Sequence, residues 1–172
     1  MGSAVLAGDG IACIEVGDVL VTMWKLPARV DRVRWLVARL DALMARHPGD
    51  VLHLMLILPT SDPPDGPARE FWQEHLRARS DKLRKFVVVA LGDSLRMNIV
   101  RAMGRSILFL SGQGQRLVLV STAPDGMKTV RSLASAVTPA QPELEAAIAQ
   151  LTDALGVKAA SIPGLVELVR AR

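Results

Sequence analysis

The stretch VLHLMLIL, residues 51–58, running into PTSDPPDGP, residues 59–67, decides the fold of this chain. Seven of its first eight residues are apolar and none is charged. Such a short run without polar alternation fits a strand covered on both faces, the situation of a strand inside a parallel sheet. The run ends at Pro59 in a loop of hydroxyls, acids and prolines. Asp and Ser oxygens accept nearby backbone N–H groups and Pro presets φ, so this composition turns a chain sharply. Pro67 then suits the first turn of a helix.

Working outward, 11–16 (IACIEV) and 19–24 (VLVTMW) are β-rich runs around Gly17-Asp18, which predicts a hairpin. Residues 28–47 carry Val30, Val33, Val37, Leu40 and Met44 at helical spacing, and His47-Pro48-Gly49 stops that helix. The segment AREFWQEHLRARSDKL after Pro67 places Phe71, Trp72, His75 and Leu76 on one stripe. Residues 86–91 (FVVVAL) predict a second buried strand, and Asp93 or Ser94 caps a helix carrying Leu95, Ile99, Val100, Met103, Ile107 and Leu108. Gly112-Gln113-Gly114 breaks it before strand 116–121 (RLVLVS). A fourth helix starts at 122–125 with Met127, Val130, Leu133 and Ala134. Thr138-Pro139-Ala140-Gln141 has capping-box spacing and opens a fifth with Leu144, Ala147, Ile148, Leu151 and Leu155. Strands alternating with helices after a hairpin predict an α/β fold: a mixed, mostly parallel sheet with an N-terminal β-hairpin and four to five packed helices. The expected layout is a flexible N-terminus at 1–10, one domain at 11–156 and a C-terminal extension at 157–172 forming a short helix.

The totals narrow the function. At 172 residues and 50% hydrophobic the chain fills one domain with a core. Six aromatics, three Phe and three Trp, leave few rings for stacking bases, which argues against a nucleic-acid partner. No apolar run reaches membrane-span length and the start lacks a signal-peptide pattern, so a cytoplasmic address is expected. The lone Cys13 makes neither an intramolecular disulfide nor a cysteine-based zinc site.

The order of elements resembles the STAS domain, and more closely the STAS-like proteins related to anti-sigma-factor antagonists. The resemblance rests on Gly17 between two β runs, the helix 28–47, VLHLMLIL, ARxFWxxxL in 68–76, KFVVVALGDS in 85–94 and RLVLVST, and covers residues 10–155. It implies a non-enzymatic regulatory module that works by protein–protein contact. Antagonists of that family carry Asp-Ser-x-Gly after the central strand, with a phosphorylated serine. Here the segment is Thr60-Ser61-Asp62-Pro63-Pro64-Asp65-Gly66, lacking the Asp-Ser order, with Ser61 the candidate phosphosite.

The residues themselves offer little catalytic chemistry. His47, His53 and His75 have no companions at ligand spacing, so no metal site is expected, and His53 and His75 fall on apolar positions. Cys13 reads as a buried thiol. Ser61, Ser94, Ser111 and Ser121 lie at element ends but none sits in a nucleophile elbow. Neither 90–94 nor 111–115 forms a phosphate-binding glycine loop, and no cofactor is expected. Arg77, Arg79, Lys82, Arg84 and Lys85 form a basic surface at the end of the second helix. They match the helix dipole there, and an acidic protein or lipid surface is the functional alternative. Trp35, off the main stripe of its helix, marks an association surface if exposed and is core if it covers the hairpin edge, and the core reading is preferred.

The leading expectation is a rim for a protein partner at neighbouring strand ends, built from Thr60, Ser61, Asp62, Asp65, Gly66, Asp93 and Ser94. The alternative is a small apolar or acyl-ligand-binding module, the ligand held between sheet and helix with Met23, Met44, Met55, Met97 and Met103 as adaptable walls. An exposed apolar helix face making a homodimer is a further expectation, and an enzyme ranks last.

Overall fold

The computed structural model describes residues 4–48, 51–79, 82–112, 114–133, 138–158 and 160, the Leu108 side chain excepted. Its strands are β1 (Leu6–Gly8), β2 (Ile11–Val16), β3 (Val19–Trp24), β4 (Val51–Ile57), β5 (Leu83–Ala90) and β6 (Leu117–Val120). The helices are α1 (Val30–Arg46), α2 (Gly66–Ala78), α3 (Leu95–Leu110), α4 (Ala123–Ser132) and α5 (Gln141–Ala154). The strands lie side by side in chain order as one six-stranded sheet. The β1–β2 and β2–β3 pairs are antiparallel, and β3 through β6 are parallel. The mixed, mostly parallel α/β sheet is therefore as expected.

This order dictates the layers. Right-handed β-α-β connections that always step the same way along a sheet return every helix to one face. Accordingly α1, α2 and the inner side of α3 pack on the face carrying Ile11, Cys13, Leu20, Trp24, Val51 and Phe86. The opposite face, with Val21, Met23, Leu52, Leu54, Leu56, Val87 and Val89, is covered by α4 and α5. Alternate residues of β4 thus feed two cores, which is why VLHLMLIL is apolar almost throughout. Leu52, Leu54 and Leu56 are fully buried, and truncating one to Ala costs about 2–5 kcal/mol.

Two glycines are demanded by geometry. Gly17 turns the β2–β3 hairpin at φ 57°, a conformation that costs side-chain-bearing residues. Gly126 lets α4 lie directly on the sheet: a Cβ there would sit 2.5 Å from Val89 Cγ2 and 3.2 Å from Leu54 Cδ1.

Some boundaries differ from expectation. Residues 6–8, placed in a flexible N-terminus, form an edge strand, with Leu6 opposite Cys13. The polar-free triplet was too short to show a period, and Gly8 provides a flat backbone on which Trp35 lies: a Cβ there would be 3.8 Å from its Cε2. Trp35 thus covers the hairpin edge as read. β5 starts at Leu83, within the basic segment. The α5 start moves from Thr138 to Ala140, whose N–H donates to Glu143 Oε2 at 2.7 Å. Pro142 is confined to the first helical turn and sets that start. Thr138 instead donates to buried Asp18 Oδ2 at 3.0 Å, tying the hairpin turn to the α5 approach. Ala134 and the expected helix in 157–172 lie outside the described residues, apart from 157, 158 and 160 of the latter.

Candidate functional site: an apolar cleft behind the strand ends

The parallel strands end together, so the loops after β3, β4 and β5 meet at one edge of the sheet, as in other open α/β sheets. This edge holds the expected rim, but most of its polar groups are occupied in holding the loops. Ser61 is 2% exposed and its hydroxyl donates to Leu26 O at 3.1 Å. Thr60 Oγ1 donates to Lys25 O at 3.0 Å. Asp65 caps α2, accepting from Ala68 N at 2.8 Å, and Ser94 caps α3, accepting from Met97 N. Asp62 and Asp93 present largely exposed carboxylates, 56% and 88%. Asp62 pairs with Arg96 at 3.4 Å, linking the β4–α2 loop to the first turn of α3. Ser61, the expected phosphosite, has its oxygen facing backbone inside the loop.

Behind this rim, between the sheet, α2 and α3, lies an apolar cleft of about 90 Å³. The sheet supplies Trp24, Met55, Ile57, Phe86 and Val88. Trp72 and Leu76 of α2 form one side, Val100, Gly104 and Ile107 of α3 another, and Ser61, Asp62 and Pro64 the mouth. Three of the chain's six aromatics meet here, Trp72 standing edge-on to Phe86 at 6.1 Å between centroids. The wall is aromatic rather than methionine-rich. Met55 alone of the five expected methionines lines it; Met23 sits on the opposite sheet face because side chains alternate along β3.

Two features of the cleft have no structural explanation among the described residues. The Trp24 indole N–H is buried with no acceptor among the described residues, which is unusual for a buried donor. Gly104 occupies the middle of α3, where glycine costs about 1 kcal/mol relative to alanine. Among the described residues nothing lies within 4 Å of the Cβ it lacks, so none of them requires a glycine there.

Next to the cleft, His53 is fully buried on β4, sharing a 3.0 Å hydrogen bond with Thr22 and lying 5.1 Å from the Phe86 ring. Burial lowers its pKa to about 3, with a smaller push from His75. His75, edge-on to Trp72, is lowered to about 4 by burial and then by the Arg79 cation, with Asp41 acting the other way. Both are neutral core residues at physiological pH. Cys13 is buried, and burial pushes its thiol up to about 12. No group of three potential metal ligands occurs among the described residues.

The expected basic surface divides. Arg79 turns to α1 and donates to Asp41 at 2.8 Å. Arg77 donates to Leu110 O at 3.2 Å, at the end of α3, and Lys85 to Gln115 O at 2.7 Å, in the turn before β6. Sequence reasoning missed Arg101. Its guanidinium donates to Ala90 O at 2.8 Å and Ser121 Oγ at 3.1 Å, strapping α3 across the ends of β5 and β6. It missed Gly104 too, although a lone glycine inside a helical pattern was visible.

No family model, curated protein or solved structure matches this chain.

Proposed function

We propose that this protein is a binding module for a small apolar, acyl-type ligand held in the cleft between the sheet, α2 and α3. The observation that carries the reading is the cleft itself, an apolar hollow walled by Trp24, Trp72 and Phe86, since ligand sites are concave and apolar with few polar groups. Gly104 supports it, because a helix gives up stability there and only open space results. So does the unpaired Trp24 N–H, ready for a ligand acceptor. An apolar cavity of about 150 Å³ takes a benzene ring. By that scale about 90 Å³ holds about four carbons, and a longer chain extends through the mouth, past Asp62 and Arg96.

Titrating the protein with decanoate while reading tryptophan fluorescence tests this, since Trp24 and Trp72 form the wall. A saturable change is expected in the wild type. Gly104→Phe, which fills the cleft from α3, removes that change and keeps the thermal midpoint. No saturable change in the wild type, or an equal one in Gly104→Phe, refutes the reading.

A second reading keeps the regulatory role that the STAS-like resemblance implies, with a protein partner docking on the exposed carboxylates Asp62 and Asp93. Because Ser61 is enclosed, this docking works without phosphorylation, and mass spectrometry of protein from its source cell is expected to find Ser61 unmodified.

A further inference from the structure

The outer face of α3 is anomalous. Among the described residues five large apolar side chains are exposed, and four belong to this helix: Leu95 at 78%, Ile99 at 46%, Phe109 at 78% and Leu110 at 56%. At 100° per residue, positions 95, 99, 102, 106, 109 and 110 form one stripe, opposite the buried Met97, Val100 and Ile107. The helix has two apolar faces, and one of them faces water.

Charge identifies what covers it. α3 contains Arg96, Arg101 and Arg105 and no Asp or Glu. Arg96 and Arg105 are exposed and flank the stripe on its two sides. At its C-terminal end Arg77 reaches the backbone carbonyl of Leu110, and Lys85 that of Gln115, five residues further on. Apolar side chains in a row with bases along the borders match a bilayer interface, where rings and aliphatic groups enter the acyl boundary and cations meet phosphates. A second copy fits poorly, since a two-fold contact lays a surface against itself and would set these arginines against one another.

We infer that the outer face of α3 docks this protein on an anionic lipid surface, with the helix lying in the membrane plane and Phe109 and Leu110 inserted deepest. The surface is separate from the cleft, and its test does not depend on an occupant there. The full chain is sedimented with vesicles of phosphatidylcholine alone and of phosphatidylcholine mixed with phosphatidylglycerol. Binding to the mixed vesicles is expected, weakening as salt is raised. Arg105→Gln lowers affinity about fivefold, and Phe109→Ser with Leu110→Ser about tenfold or more. The urea midpoints of these variants stay at the wild-type value because the replaced side chains are exposed. Equal binding to neutral vesicles, or none to either, overturns the inference. So does a dimer in light scattering that Phe109→Ser dissociates while vesicles are ignored, which would make the stripe a self-association surface.

Discussion

Acid should loosen this protein through His53. In the unfolded chain this imidazole protonates near 6.5, and in the folded protein burial lowers that to about 3. Between these values the unfolded state binds a proton that the folded state excludes. The contribution of His53 to stability is therefore complete above about pH 6.5 and is lost as pH falls toward about 3, at about 1.4 kcal/mol per pH unit. At about pH 5 the loss amounts to about 2 kcal/mol, a sizeable share of the roughly 5–15 kcal/mol typical of a domain. His75 shifts in the same direction. The assay is urea unfolding from about pH 8 to about pH 5, comparing the wild type with Thr22→Val/His53→Leu. The pair is replaced together because the two share a hydrogen bond and a single change would orphan its partner. The double variant should lose about 2 kcal/mol less over this range, since His75 and the carboxylates remain in both proteins. Parallel stability–pH curves would refute the argument and mean that His53 takes its proton inside the fold.

The two helical glycines should respond in opposite directions. Gly126→Ala drives a methyl into Val89 and Leu54 and should destabilise by about 1–3 kcal/mol, whereas Gly104→Ala meets nothing and should stabilise by about 1 kcal/mol; chemical denaturation reads both. Cys13, buried with its thiol pushed up to about 12, should react with a disulfide reagent at mildly alkaline pH only as fast as the protein unfolds. Modification of the native protein at the rate of a free thiol would contradict its placement under α1.

The architecture was legible because β4 and β5 must satisfy two cores at once, which leaves continuous apolar runs that few other structures need. The helices were legible from single-sided stripes, as in Val33, Leu36, Val37, Leu40, Leu43 and Met44 of α1. Leu6–Gly8 was illegible because three residues carry no period, and its pairing depends on β2 and Trp35. The site was read less well. A sequence marks Ser61, Asp65 and Ser94 as polar residues at strand ends, but hydroxyls that hold a loop look the same as hydroxyls offered to a partner. Only the 3.1 Å contact of Ser61 with Leu26 O separates the two. The cleft gathers Trp24, Met55, Trp72, Phe86 and Gly104 from five elements, and no local pattern announces such a convergence. The two faces of α3 were read as one stripe, Leu95 and Ile99 together with Val100 and Ile107, because helical spacing does not say which way each side chain faces.

Strand order also governs how the chain comes together during synthesis. Each strand is added beside the one made just before it, so the sheet can grow as the polypeptide leaves the ribosome, with α1, α2 and α3 roofing one side on the way. The other side has no cover until α4 and α5 emerge, and it is α5 that packs on β2 and β3, over a hundred residues behind it. Lys25, at the end of β3, closes that circuit by donating to Leu155 O at 2.8 Å. A nascent chain halted before residue 141 carries an assembled sheet with part of one greasy side bare, a natural client for chaperones and a seed for clumping.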